Sequence, residues 1–147
     1  MKTTKCLIIA VLAMITSCAF AQEVKEIPGW PKPGPEVPSA CAQMYGAWRG
    51  EWQVGGVGAA NLWILEVRAD CSTTFTYGTP GYQKTVPKKG DKWLKEGKLD
   101  SSDGQLSFVC SRENGTCRFK RRGDGISAGY NNPFGGNNWA EFARKEY

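Results

Sequence analysis

The chain has 147 residues, enough for one domain and short for two. A composition of 41% hydrophobic and 22% charged residues excludes a disordered chain, and 18 Gly with six Trp favours tight turns and broad apolar surfaces of the β-rich kind. Setting Lys2 and Lys5 of the leader aside, the 19 basic residues become 17 against 14 acidic ones, an excess too small for a nucleic-acid partner, and the lack of any His removes the commonest general base and metal ligand.

Residues Met1 to Ala21 have the three parts of a signal peptide. Lys2 and Lys5 make a positive start, Leu7 to Ile15 an apolar run too short to span a bilayer, and Ala19-Phe20-Ala21 a small-residue cleavage site before Gln22. Ile15-Thr16-Ser17-Cys18 competes with it as a lipobox, in which Cys18 would carry a lipid anchor. The expected location is therefore periplasmic or secreted, with an envelope lipoprotein as the alternative. No later segment is long and apolar enough for a transmembrane helix.

Residues 22–39 read as a Pro-rich linker, since Pro28, Pro31, Pro33, Pro35 and Pro38 remove backbone donors and fix φ. Trp30 within it suits docking on a partner or on the domain itself, or a plain spacer. Residues 40–147 are expected to be the folded domain. Gly46, Trp48, Gly50 and Trp52 alternate with Ala47, Arg49 and Glu51, a strand with Trp and Gly on one face. Leu62–Val67 and Thr73–Tyr77 follow as strands, then a long loop, Gly78 to Lys92, and a polar strand over Trp93–Leu99. Leu106, Phe108 and Cys110 mark a fifth strand, Cys117 and Phe119 a sixth, Ile126 to Tyr130 a seventh after the Gly123-Asp124-Gly125 turn, and Trp139–Arg144 an eighth. No stretch keeps an apolar period near 3.6. Eight strands in turn-linked order predict an all-β antiparallel meander closing into a small barrel, with a two-sheet sandwich as the rival.

Export permits disulfides, and Cys41, Cys71, Cys110 and Cys117 remain once Cys6 and Cys18 are set aside. Four cysteines allow three pairings. A four-residue loop, Arg112 to Gly115, built on the Asn114-Gly115 turn signal, sets Ser111 opposite Thr116 and Cys110 opposite Cys117. That pairs Cys110 with Cys117, and Cys41 with Cys71 by elimination.

The run Gly46-Ala47-Trp48-Arg49-Gly50-Glu51-Trp52, followed by Leu62 to Val67, Thr76-Tyr77-Gly78, Gly104 to Phe108 and Gly125 to Tyr130, resembles small bacterial lipocalin-like domains of unassigned activity with a G-x-W-x-G-x-W first strand. The resemblance covers roughly residues 46–144 and implies a fold and binding rather than a reaction. The four cysteines lie outside its pattern. The opening strand also resembles avidin-like barrels, but their ligand-contacting positions have no match here.

The aromatic set Trp48, Trp52, Trp63, Tyr77, Trp93, Tyr130 and Trp139 is the candidate ligand-binding site, because such rings stack on sugars and flat apolar ligands; the same residues also fill cores. Two basic clusters, Lys84 to Lys98 and Arg118 to Arg122, are solvated faces or a meeting surface for anions. Glu51 and Glu66 lie on early strands that, if neighbours, offer raw material for acid–base chemistry, or they are partners for Arg49 or Arg68. Asn114-Gly115-Thr116 matches a glycosylation sequon but reads better as the hairpin turn. No nucleophile elbow, phosphate loop or zinc-ligand spacing occurs, so neither catalytic residues, cofactor nor metal ligands are assigned. The expectation is a barrel binding a small apolar or saccharide ligand at a mouth near the loops Gly78–Lys92 and Asn131–Asn138. The alternatives are an envelope interaction protein, such as an inhibitor of a secreted hydrolase, and a carboxylate-based hydrolase.

Overall fold

The chain forms eight strands: β1 (Gly46–Trp52), β2 (Ala59–Val67), β3 (Ser72–Gly78), β4 (Lys95–Lys98), β5 (Leu106–Val109), β6 (Thr116–Arg122), β7 (Gly125–Asn131) and β8 (Asn137–Arg144), with burial of period two clearest in β1, β6 and β8. The structure, a computed structural model, describes residues 24–53, 58–82 and 85–147. The expected leader and cleavage site, Cys18 of the expected lipobox, and Lys84 lie outside the described residues.

All eight strands belong to one antiparallel sheet in the order β4-β3-β2-β1-β8-β7-β6-β5. The meander is rolled so that β1 pairs with β8, from Trp48↔Arg144 to Trp52↔Ala140. The two ends of the order, β4 and β5, meet only through the single bridge Leu99↔Leu106, which leaves the barrel nearly closed. The expected all-β barrel is thus the observed one. Its fourth strand is shorter than the expected Trp93–Leu99, because Trp93 still lies in the loop.

The inward face of β1 carries Trp48, Gly50 and Trp52, opposite Leu62 and Ala60 on β2 and Arg144, Phe142 and Ala140 on β8. A Cβ at Gly50 would stand 2.5 Å from the Phe142 ring, so the glycine lets that ring close on the backbone. Phe75, Leu106, Phe119, Ile126 and Phe142 complete a filled interior. One end is plugged. There α1 (Ser39–Ala42) precedes β1, and the Cys41–Cys71 disulfide ties it to the β2–β3 turn. Trp48 donates from Nε1 to the Met44 carbonyl at 2.9 Å. The Arg144 guanidinium lies 4.3 Å above its ring and donates to the Tyr45 and Gln43 carbonyls, while Arg121 lies 5.0 Å from the same ring.

The strand β2 is buried on both faces, because its outer side is covered. The Pro-rich arm places Ile27, Trp30 and Val37 in the core cluster. Trp30 Nε1 donates to the Pro87 carbonyl at 2.6 Å, and the Tyr45 hydroxyl accepts from Ile27 N at 2.9 Å. The C-terminal Tyr147 packs 5.7 Å from Trp63 and donates to the Lys25 carbonyl at 2.8 Å, closing the cover.

The β5–β6 hairpin corrects one expectation. Val109 pairs with Thr116 and Phe108 with Cys117, so Cys110 stands opposite Gly115, not opposite Cys117. The four-residue loop is Ser111 to Asn114 rather than Arg112 to Gly115, because Asn114 takes a left-handed φ of 59° and Ser111 Oγ accepts the Gly115 amide at 2.9 Å. The disulfide Cys110–Cys117 still forms, bridging diagonally across the ladder at a Cα separation of 5.7 Å.

Candidate functional site

The end of the barrel opposite the plug opens into an aromatic hollow of about 180 Å³ lined by Trp52, Tyr77, Cys110, Ser111, Cys117, Tyr130 and Asn138. Each side chain arrives there by strand parity. Trp52 ends the inward face of β1, Tyr77 pairs with Leu62 near the end of β3, and Tyr130 lies between Cys117 and Asn138 on the inward row of β6, β7 and β8. Of the two segments expected at the mouth, Asn131–Asn138 reaches the hollow through Asn138, and no residue of Gly78–Lys92 is among its lining.

The rings are held edge to face or tilted. Trp52 lies 6.4 Å from Tyr130 and 6.5 Å from Phe119, and Tyr77 lies 5.5 Å from Phe119 and 5.6 Å from Phe108. Trp52 Nε1 donates to the Tyr77 hydroxyl at 2.8 Å, fixing both polar tips at the floor. Burial pushes the Tyr77 phenol above its ordinary value, and the Trp52 N–H opposes it with less weight. The Tyr130 hydroxyl donates to Ser111 Oγ at 3.4 Å, and Asn138 Oδ1 accepts the Trp139 amide at 2.8 Å. No acidic or basic side chain is among the lining residues, so the site offers aromatic faces, hydroxyls and a carboxamide to an uncharged ligand.

Three residues of the aromatic set, Trp52, Tyr77 and Tyr130, therefore share one hollow. The other four stand elsewhere. Trp48 is fully buried in the plug. Trp63 points outward from β2 beneath Tyr147. Trp93 lies half exposed ahead of β4, and Trp139 stands on the outer face of β8. Ser111 and Asn138 were not anticipated. Asn138 is legible in hindsight from the parity of β8, whereas Ser111 depends on a loop whose register the sequence misplaces.

The carboxylates are committed to other work. Arg68 Nη2 meets Glu66 Oε2 at 2.9 Å and Arg68 Nη1 meets Glu96 Oε2 at 3.0 Å, with Thr74 Oγ1 donating to Glu96 Oε1 at 2.6 Å. The hydrogen bond to Glu96 leads in raising the Arg68 pKa. Glu51 lies exposed on the outer face, opposite Ala59 and Glu141. The basic clusters are spread out: Lys89 over Trp30, Lys95 over Phe108, Lys98 near Asp70 and Lys120 on Asp103. Among the described residues no group of three His, Cys, Asp or Glu is placed to hold a metal ion, and no helix is long and apolar enough to cross a membrane. Two disulfides suit an oxidising compartment outside the cytoplasm.

No protein-family model matches the chain, and neither a curated protein nor a solved structure matches it.

Proposed function

We propose that this chain is an exported, lipocalin-like barrel that binds a small uncharged ligand, apolar or saccharide, in its aromatic mouth. The observation that carries the reading is the convergence of Trp52, Tyr77 and Tyr130 on one concave site at the end opposite the plug. The volume of about 180 Å³ is below the usual span for drug-sized ligands, about 300–1,000 Å³, and suits a single ring or the end of a longer molecule. The rigid disulfide on one wall and the Trp52–Tyr77 hydrogen bond on the floor preorganise the site, which lowers the entropic cost of binding.

The test is a ¹H–¹⁵N titration that follows the indole N–H of Trp52, assigned by its shift in Tyr77→Phe. Phenol and methyl β-glucoside serve as the apolar and saccharide ring probes. Displacement of that resonance by one of them, with the Trp48 and Trp63 indoles unmoved, supports the mouth as the site. An indole unmoved by either at millimolar probe, together with a bare mass for the protein taken from its host envelope, would sink the reading.

A second reading, an envelope interaction protein such as a hydrolase inhibitor, is favoured by one observation. Phe134 projects from the β7–β8 loop at 83% exposure, held by the Asn132 side chain accepting its backbone N–H at 2.9 Å. Under that reading Phe134→Ser abolishes inhibition of the target enzyme while leaving the Trp52 titration unchanged.

A further inference from the structure

The outer face of the barrel between β6 and β8 has a relief of its own, on the other side of the sheet from the mouth residues. The outward residues of β7 are small: Gly125, Ser127 and Gly129, followed by Asn131. At Gly129 nothing stands within 4 Å of where a Cβ would be. The strands on either side raise walls. On β6 the outward residues are Arg118, Lys120 and Arg122, and on β8 they are Trp139, Glu141 and Ala143. A trough thus follows β7, about 10 Å between wall strands and about 20 Å long by strand geometry. At its plugged end it opens into a hollow of about 490 Å³ lined by Arg122, Asp124, Gly125, Glu141, Phe142, Ala143 and Arg144.

Trp139 decides what such a trough can hold. Its indole is 55% exposed, beside the Gly129 step rather than folded over it. Among large side chains this one loses most by facing water, and the sheet beneath it leaves room for a flat occupant. The adjacent register positions hold the planar carboxamides of Gln53, Asn131 and Asn137, and Arg118 stands across Gly129 on β6. Two of the three wall cations on β6 are answered by carboxylates. Lys120 Nζ lies 2.8 Å from Asp103, and Arg122 Nη1 lies 3.7 Å from Glu141. A polyanion would have to break these pairs and meet the carboxylates of Glu141 and Asp124. A neutral polyol can instead donate to the carboxylates and accept from the guanidinium groups while its apolar ring face covers Trp139.

We infer that the β6–β8 trough is a binding site for a neutral linear glycan, with one sugar ring stacked on Trp139 over the Gly129 step. The experiment is affinity electrophoresis of the mature protein in native gels containing hydroxyethyl cellulose, laminarin or mannan, with polygalacturonate as the anionic comparison. The expected result is retardation by at least one neutral polymer, weakened about tenfold in Trp139→Ala and in Gly129→Val, which fills the step. Tyr77→Phe, which alters only the mouth, keeps the retardation, so this outcome is separable from that of the mouth reading. Both trough positions are exposed on a laddered strand, and an unchanged thermal midpoint establishes that each variant is folded. Three results would overturn the inference: free migration in every neutral gel, retardation that survives Trp139→Ala, or retardation confined to polygalacturonate and abolished by salt. Dimerisation in gel filtration that Trp139→Ala abolishes would also overturn it, assigning the face to a second copy of the chain.

Discussion

Asn61 occupies an outward position on β2, between Arg49 and Gly78, yet it is fully buried, and its carboxamide finds no hydrogen-bond partner among the described residues. The Trp63 indole N–H, two residues on, is in the same condition. An unsatisfied buried amide costs about 1–3 kcal/mol, whereas an apolar side chain of similar shape gains from the same burial. Asn61→Leu is therefore expected to stabilise the fold by about 1–2 kcal/mol in urea unfolding, and a loss of stability would show that the carboxamide is bonded in solution. Tyr77 makes a pH prediction at the same scale. Burial raises its folded pKa above the phenol's ordinary value of about 10. The folded state then holds a proton that the unfolded chain gives up. Its contribution is complete below pH 10 and is lost as pH rises through the folded value. Tyr45 and Tyr147 are raised as well and act in the same direction, while Lys145 is lowered by desolvation and opposes them. Tyr77→Phe should accordingly flatten, without abolishing, the fall in the urea midpoint between about pH 9 and pH 11. An unchanged slope would mean that Tyr77 ionises as freely folded as unfolded.

Two disulfides staple elements of different reach. Cys41–Cys71 spans 30 residues and joins α1 to the β2–β3 turn, while Cys110–Cys117 spans 7 within one hairpin. On the chain-entropy account the first contributes about 3.6 kcal/mol and the second about 2.4 kcal/mol. Paired alanine substitution at 41 and 71 should thus cost more stability than at 110 and 117, measured by urea unfolding. Only the second pair should weaken a mouth ligand, because its sulfurs line that hollow. Equal binding in both variants would show that the hairpin wall is rigid without its bridge. Most strands are legible from alternation alone, since Gly46 to Trp52, Ile126 to Tyr130 and Trp139 to Arg144 each bury one face. Where both faces are buried, alternation stops carrying direction. On β2 the run from Ala60 to Leu65 is buried throughout, so the sequence does not tell that Leu62 points inward and Trp63 outward under the arm and Tyr147. The β5–β6 register was missed for a different reason. A turn signal at Asn114-Gly115 locates a bend, but the side chain of Ser111 on the Gly115 amide sets which residues the loop holds. The mouth inherits both effects: Trp52, Tyr77 and Tyr130 follow from parity, and Ser111 does not.

The whole barrel has one weak boundary. Seven strand pairs are laddered, including β1 with β8, whose partners Trp48 and Arg144 are far apart in the chain. Between β4 and β5 there is only the Leu99↔Leu106 bridge, near the plugged end. Beyond it toward the mouth the facing edges are held by side chains: Lys95 Nζ lies 5.4 Å over the Phe108 ring, which in turn packs 4.7 Å from Phe75. A period-two pattern read along the chain predicts strands in order but carries no information about which neighbouring pair fails to ladder, because that depends on how the twist accumulates around the ring. The position of the gap has a dynamic consequence. Backbone groups on an unladdered edge open without breaking the rest of the sheet, so β4 and β5 should exchange amide hydrogens through local opening at free energies below that of global unfolding. In β1, β2 and β8, which are laddered on both sides, exchange should require nearly global unfolding. The gap runs up to Cys110 and Ser111, so the same opening would widen the mouth laterally and admit a ligand from the side. Hydrogen exchange followed by NMR should therefore show β4 and β5 as the fastest strands, and a mouth ligand should slow them selectively. Equal protection of all eight strands would mean that side-chain packing closes the seam as firmly as a ladder, leaving the loops above Trp52 and Tyr77 as the route of entry.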